Sequence, residues 1–341
     1  MTDQSELRET ALAMVAPGKG ILAIDETVAT CTKRFEELGI ESTPESRCDY
    51  REMLVTTPGC GDYVSGAILY DETIRQLGSD GRPLVDLLRS QGIAPGIKVD
   101  TGAKPMAGAT GETATEGLDG LGDRLAEYRE IGARFTKWRA VIRIADGLPT
   151  LRCIEANAHA LARYAVIAQE AGLVPIVEPE VLMNGPHGIR RCQDVTEEVL
   201  QAVFGQLAAQ RCLLEGIVLK PNMVLPGTEC PNQSSADEIA SLTLQTLHRC
   251  VPAAVPGVAF LSGGLTGEQA CIYLNELATL GPHPWQLTYS FGRALQYPAL
   301  EIWAGDPANT PAAQAAFLHR AKMSSLARAG AYSPDLERAS V

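Results

Sequence analysis

The chain has 341 residues, 45% of them hydrophobic and 21% charged, with a formal net charge of −12. This is an ordinary globular mixture whose acidic balance leaves no basic stripe to neutralise nucleic-acid phosphates. A few focused cations in one cleft can still hold a phosphorylated small molecule. No apolar run approaches the roughly 20 residues needed to cross a bilayer. Residues 1–16 carry Asp3, Glu6, Arg8 and Glu9 among apolar residues at helical spacing, without the basic region, apolar stretch and cleavage site of a signal peptide. They read as the first helix of a cytoplasmic protein.

Strand-like apolar runs are predicted at 20–25, 65–70, 96–99, 134–142, 174–178, 216–220, 258–261 and 287–290. Amphipathic helical patterns fall between them, at 45–56, 84–90, 120–132, 151–171, 194–211, 236–250 and 268–280, with 293–304 and 310–329 after the last strand. Ser46, Asp194, Ser235 and Thr266 are candidate helix caps. Strand followed by helix, repeated eight times, predicts an α/β fold of the (β/α)8 TIM-barrel type. A doubly wound sheet would show a G-x-G-x-x-G turn after the first strand, where this chain has Asp25-Glu26-Thr27-Val28-Ala29-Thr30. No linker or repeat divides the sequence, so residues 1–341 are expected to form one domain. Residues 101–118 read as a long exposed loop, and the tail from about 331 to 341 as mobile. The nine cysteines form no C-x-x-C pair and the five histidines no i, i+3 or i, i+4 pair. Buried free thiols and no metal site are the expectation.

In such a barrel the chemistry lies at the carboxyl ends of the strands. Those ends supply Asp25, Lys98, Lys137 with Arg139, Glu178 with Glu180, Lys220, Ser262-Gly263-Gly264, and Ser290 with Gly292-Arg293. Packing does not explain so many charges at a barrel mouth. Singly, each has a plain alternative: Asp25 as a cap for the next helix, Lys98 as a partner of Asp100, Glu180 as a partner of an arginine.

The segment Gly216-Ile217-Val218-Leu219-Lys220-Pro221 delivers one lysine at the end of an apolar strand that Pro221 stops. Imine formation with a ketone needs such an amine to be neutral part of the time, with a pKa drawn from about 10.4 towards about 7–8. A second ammonium at ~4 Å, in an effective dielectric of ~20, contributes about 4 kcal/mol, and Lys137 is the candidate neighbour. Glu178 is expected to donate a proton to the departing hydroxyl, with its pKa raised by partial burial. Asp25 is expected to accept the proton of the hydroxyl whose carbon becomes an aldehyde. The glycines of Ser262-Gly263-Gly264, the helix opened by Thr266, and Arg293 predict a phosphate site. Thr27, Thr30 and Arg34 with Lys98 predict a second anion site across the mouth.

These residues stand in strings that resemble the class I (Schiff-base) fructose-bisphosphate aldolases, in the family order over about residues 8–333. The strings are Gly18-Lys19-Gly20-Ile21-Leu22-Ala23-Ile24-Asp25-Glu26, Gly96-Ile97-Lys98-Val99-Asp100, Lys137-Trp138-Arg139 and Val174-Pro175-Ile176-Val177-Glu178-Pro179-Glu180, followed by Leu219-Lys220-Pro221-Asn222-Met223-Val224, Phe260-Leu261-Ser262-Gly263-Gly264 and Gly292-Arg293-Ala294-Leu295-Gln296. The resemblance implies a metal-independent, cofactor-free lyase of glycolysis and gluconeogenesis. Its reaction is the reversible cleavage of fructose 1,6-bisphosphate into glycerone phosphate and glyceraldehyde 3-phosphate. It also implies Lys220 as the Schiff-base lysine, Glu178 as acid/base in carbinolamine dehydration, and Asp25 and Lys137 as aids to proton transfer and bond cleavage. Ser262, Gly263, Gly264, Ser290, Gly292 and Arg293 match the 1-phosphate site. Arg34, Thr30, Thr27 and Lys98 match the other end of the sugar, Arg139 lies in the same cleft, and a homotetramer is implied. The chain departs from the family at Thr27-Val28-Ala29-Thr30, at Leu265 where glutamine is usual, and at Phe291 in place of a tyrosine. It ends at Val341 without the family's terminal tyrosine. A sedoheptulose bisphosphate aldolase is the alternative enzyme. A binding protein that kept the barrel without turnover is the alternative class, and the intact set Asp25, Lys137, Glu178 and Lys220 speaks against it.

Overall fold

Eight parallel strands close into a barrel in a computed structural model that describes residues 4–338. They are β1 (Gly20–Ala23), β2 (Val64–Leu69), β3 (Ala94–Lys98), β4 (Phe135–Ile142), β5 (Val174–Val181), β6 (Val218–Leu219), β7 (Gly257–Phe260) and β8 (Gln286–Phe291). Each pairs with its neighbour in sequence, and β1 pairs with β8 to complete the ring. All eight predicted strands are present, with helices between them, and the (β/α)8 expectation holds.

The alternation of side chains along a strand explains how the barrel is filled. Ile21, Ala23, Ile68, Phe135, Val174, Ile176, Val218 and Ala259 form one buried cluster inside it. The helix Gln4–Met14 adds Leu7, Ala11, Met14 and the following Val15 to the same cluster and stoppers one end. Burying Leu7 alone is worth about 1.5–3 kcal/mol. Two residues further along the same inward rows come Asp25 after Ala23, Lys137 after Phe135, Glu178 after Ile176 and Lys220 after Val218. The interior therefore changes from apolar to charged within one step along each strand. A second, larger cluster, including Trp138, Tyr164, Tyr289 and Phe291, lies between the strands and the surrounding helices.

Strand β6 is only two residues long, against five predicted. Residues Leu214–Gly216 form a 3-10 turn instead, and Pro221 has no N–H to extend the ladder. Lys220 is still fixed, because its N–H donates to the Val177 carbonyl at 2.8 Å while the Pro221 carbonyl accepts from Leu261 at 3.1 Å.

Several expectations need correction. The predicted loop 101–118 contains an antiparallel hairpin, Gly102–Pro105 with Thr113–Glu116. Thr115 is buried and donates to the Arg139 carbonyl, and buried Glu112 accepts from the N–H and hydroxyl of Thr150, so β-branched residues and a tether outweigh the turn-rich composition. Asp194 is not a cap: its helix is Ile189–Ala209, entered from Gly188. Ser46 is the third residue of a capping box whose N-cap is Thr43, while Ser235 and Thr266 cap as predicted. A helix not anticipated, Val28–Glu36, starts from Thr27, so Asp25 is free of that duty. Residues 331–338, expected to be mobile, are tied down by Glu337, which accepts from His319, Arg320 and Tyr332. The rest of the predicted tail, 339–341, lies outside the described residues. All nine cysteines are free thiols, and seven are buried.

The inward row of β3 is cut back to glycine where β4 sends in a phenylalanine. A Cβ on Gly96 would lie 2.2 Å from the fully buried Phe135 ring. Gly96→Ala is expected to destabilise the fold by about 1–3 kcal/mol through overpacking. Gly122→Ala, on a helix with open space around it, should be neutral or stabilising by about 0.4–1 kcal/mol. Urea unfolding of both variants checks the contrast.

Candidate active site

The charged ends of the inward rows converge on a cavity of about 340 Å³ at the carboxyl ends of the strands. Its lining includes Asp25, Thr27, Thr30, Arg34, Lys98, Lys137, Arg139, Glu178, Glu180, Lys220, Ser262, Gly263, Ser290, Gly292 and Arg293. Fifteen of the sixteen predicted site residues are thus brought together. Gly264 is the exception. It lines a neighbouring cavity, and its N–H donates to the Met183 sulfur at 3.0 Å.

At the centre, a Glu178 carboxylate that is 3% exposed stands between two lysines. Its Oε1 lies 3.1 Å from Lys220 Nζ and its Oε2 3.3 Å from Lys137 Nζ. Lys137 Nζ also contacts Asp25 Oδ2 at 2.6 Å. Lys220 and Lys137 are 4% and 3% exposed, so water does little to screen these contacts. Strand register accounts for the arrangement: Arg139 is opposite Glu178 and Val141 opposite Glu180 across β4 and β5, and Ile176 is opposite Val218 across β5 and β6. One more step along β5 and β6 brings Glu178 level with Lys220.

Two expectations change. The sequence predicts Lys137 as a second ammonium beside Lys220; in the structure a carboxylate stands between them and Asp25 holds Lys137 from the other side. Glu178 was expected to have a raised pKa. Burial does push it up, but Lys137, Lys220 and Arg139 more than offset this and leave it below the ordinary glutamate value. In the resting site it is a carboxylate. Burial likewise pushes Asp25 up, and Lys137, Lys220 and Lys98 overcome it to hold Asp25 at about 2. For Lys137, burial favours the neutral amine, but Asp25 and Glu178 raise its pKa above the usual lysine value.

The outer residues are paired as well. Lys98 Nζ meets Asp100 Oδ1 at 2.5 Å, Arg139 pairs with Glu180, and Arg34 meets Glu26 at 2.5 Å. The Thr27 hydroxyl accepts from the Thr30 N–H at 3.3 Å and lies 3.1 Å from the Thr30 hydroxyl. Asp100 and Glu26 were not singled out as site residues in the sequence, although each adjoins or ends a string that was. Asp100 also accepts from the Gly102 and Arg139 N–H groups, and Glu26 from Gln296, so both orient the cations around them.

At the β7–β8 side the balance differs. Arg293, first residue of the helix Arg293–Trp303, makes no ion pair among the described residues. The Ser290 hydroxyl is buried and has no hydrogen-bond partner. A cation without a counter-ion, an unpaired hydroxyl and a glycine turn are what an incoming phosphate dianion requires.

The family profile described as "Glycolytic: Fructose-bisphosphate aldolase class-I" matches residues 6–341. A "Probable fructose-bisphosphate aldolase class 1" of Xanthomonas axonopodis pv. citri (strain 306) is 55% identical over 326 residues, covering 95% of this chain and 98% of its own. "Fructose-bisphosphate aldolase 4, cytosolic" of Arabidopsis thaliana is 50% identical over 333 residues, covering 97% and 85%. Among solved structures, the fructose-bisphosphate aldolase of Plasmodium falciparum, in complex with TRAP and a small-molecule inhibitor, superposes with a TM-score of 0.95. It is 48% identical and covers 96% of this chain and 95% of that one.

The depressed pKa of Asp25 has a signed consequence. Its carboxylate contributes stability that is fully present above pH ~4 and lost as pH falls through about 2, on the order of 2 kcal/mol. Asp25→Asn should therefore be less stable than wild type at pH 6–7, with the gap narrowing below pH ~4. Urea unfolding across pH 7 to 3 measures it; a gap that widens with acid contradicts the assignment.

Proposed function

The chain belongs to the class I fructose-bisphosphate aldolases, and on that footing we propose that Lys220 is the amine that carries the reaction, with Glu178, Asp25 and Lys137 moving its protons. The enzyme is a metal-independent lyase of glycolysis. It cleaves fructose 1,6-bisphosphate reversibly to glycerone phosphate and glyceraldehyde 3-phosphate through a lysine Schiff base.

The observation that carries the residue assignment is the ionised Glu178 within 3.1 Å of Lys220. A carboxylate so placed first acts as a base and takes a proton from the Lys220 ammonium. The freed amine attacks the C2 ketone. Glu178 then returns the proton to the carbinolamine hydroxyl, which leaves as water and creates the iminium. The iminium accepts the electron pair of the C3–C4 bond as it breaks. The C4 hydroxyl becomes strongly acidic as its carbon turns into an aldehyde, so even a carboxylate with a pKa of about 2 can take its proton. That carboxylate is Asp25, and Lys137 spreads the charge between Asp25 and Glu178. The order, base before acid, follows from the two lysines that keep Glu178 ionised.

The glycerone phosphate end of the substrate belongs at Ser262, Gly263, Ser290, Gly292 and Arg293, where charge is unbalanced. The other phosphate belongs at Arg34, Lys98, Thr27 and Thr30, with Arg139 and Glu180 on the wall between. Binding there draws Lys98 and Arg34 away from Asp100 and Glu26, which makes that end the weaker anchor. We place the enzyme in the cytoplasm, a setting that the cytosolic Arabidopsis relative supports. No helix among the described residues is long and apolar enough to cross a membrane. A single domain assembling into a homotetramer completes the proposal, and sedimentation velocity tests the subunit number.

Borohydride added with glycerone phosphate is expected to fix the adduct on Lys220, seen as a mass shift on the peptide containing it, and EDTA is expected to leave turnover unchanged. An adduct on another lysine overturns the assignment. Glu178→Gln should lower kcat about 10²–10⁴-fold, since the proton can be neither taken nor returned. Stopped-flow measurement should place the loss in imine formation.

A further inference from the structure

The phosphate-binding turn is supported by a side chain that comes from the acid/base strand. Met183 follows β5, two residues beyond Val181. Its backbone is fixed at both ends of the loop, by Leu182 N–H donating to the Ile142 carbonyl at 2.8 Å and by Thr228 N–H donating to the Met183 carbonyl at 2.7 Å. Its sulfur accepts the Gly264 N–H at 3.0 Å. The thioether lies flat on two glycines: a Cβ on Gly263 or Gly264 would sit 3.2 or 3.3 Å from that sulfur. The turn itself is closed by Leu265 N–H donating to the Ser262 carbonyl at 3.0 Å, and Gly263 has a φ of +58°. A side chain at either glycine would force the sulfur to give by a few tenths of an ångström, and at Gly263 it would strain the backbone as well.

The outcome is a division of labour between two adjacent glycines. Ser262 and Gly263 line the active-site cavity, whereas Gly264 does not and spends its N–H on Met183. Without an acceptor on that side, the Gly264 N–H is an unpaired donor beside an anion site, and the turn is free to rotate towards any acceptor nearby. We propose that Met183 is a positioning residue for substrate phosphate: by holding Gly264 on its sulfur, it keeps Ser262 and Gly263 facing the cavity. This rests on the reading that the Ser262–Gly263 turn binds phosphate. It makes Met183, rather than any charged group, the link between the strand that carries Glu178 and the site that anchors the substrate.

Met183→Leu keeps the volume but removes the acceptor, and Met183→Gln restores an acceptor oxygen within about one bond length of the sulfur position. The leucine variant is expected to raise KM for fructose 1,6-bisphosphate, and the competitive inhibition constant of inorganic phosphate, by about fivefold. Its kcat should stay within about twofold. The glutamine variant should bring both constants back to near wild type. Borohydride trapping with dihydroxyacetone, which carries no phosphate, should be the same in all three proteins. If the leucine variant leaves phosphate inhibition unchanged, if dihydroxyacetone trapping falls with it, or if glutamine fails to rescue, the positioning role is wrong. Ser290→Ala separates the two levels of the proposal. Weakened phosphate inhibition there, with none in Met183→Leu, removes only Met183, whereas no effect in either removes the phosphate site itself.

Discussion

One buried carboxylate governs this molecule. Glu178 lies between Lys220 and Lys137 and, together with Asp25, offsets the cost of burying the two lysines. Asp25 closes the set from the far side of Lys137. Two carboxylates and two ammoniums balance in charge, which permits four ionisable groups to sit where water scarcely reaches. In the proposed reaction the balance also sets reactivity, because it leaves Glu178 ready to receive a proton rather than to give one. A group whose pKa had simply been raised by burial would start the cycle in the opposite state.

The barrel makes this possible by sorting its interior along the strand direction. Ile21, Phe135, Ile176 and Val218 occupy inward positions, and the next inward positions on the same four strands are Ala23, Lys137, Glu178 and Lys220. Apolar packing below fixes the backbone, so Lys137 and Glu178 are held within strands and Asp25 and Lys220 just after strand ends. The N-terminal helix seals the apolar end. At the open end, Asp100 and Glu26 orient the cations of the rim, and Arg293 is left uncommitted. An acidic protein thereby presents a local demand for negative charge at one side of one cavity.

The division between neutralised and unneutralised cations also underlies the proposed substrate placement. On the proposed substrate placement, Lys98 and Arg34 exchange a carboxylate for a phosphate and gain only the difference. Arg293 and the unpaired Ser290 hydroxyl gain the whole interaction. In that placement an anion at the β7–β8 side is held more firmly than one opposite, consistent with the proposal that the ketone end of a bisphosphate lies beside Lys220.

Much of this was legible in the linear chain. Eight apolar runs separated by amphipathic segments determined a barrel, because a period of two and a period near 3.6 are properties of local geometry that short windows display. Charged residues at the ends of those runs marked Asp25, Lys137, Glu178 and Lys220, since nothing in packing calls for them there. The hairpin 102–116 was not legible, as it depends on tethers from distant residues such as Thr150 with Glu112, nor was the early start of the helix Ile189–Ala209, which no side chain caps. Nor could the sequence tell that Glu178 stands between the lysines, that Asp25 is left uncapping, or that Gly264 turns away towards Met183. Local pattern decides which residues face inward; only closure of the barrel decides which inward residues touch, and the protonation state of a buried group is set by the charges it touches.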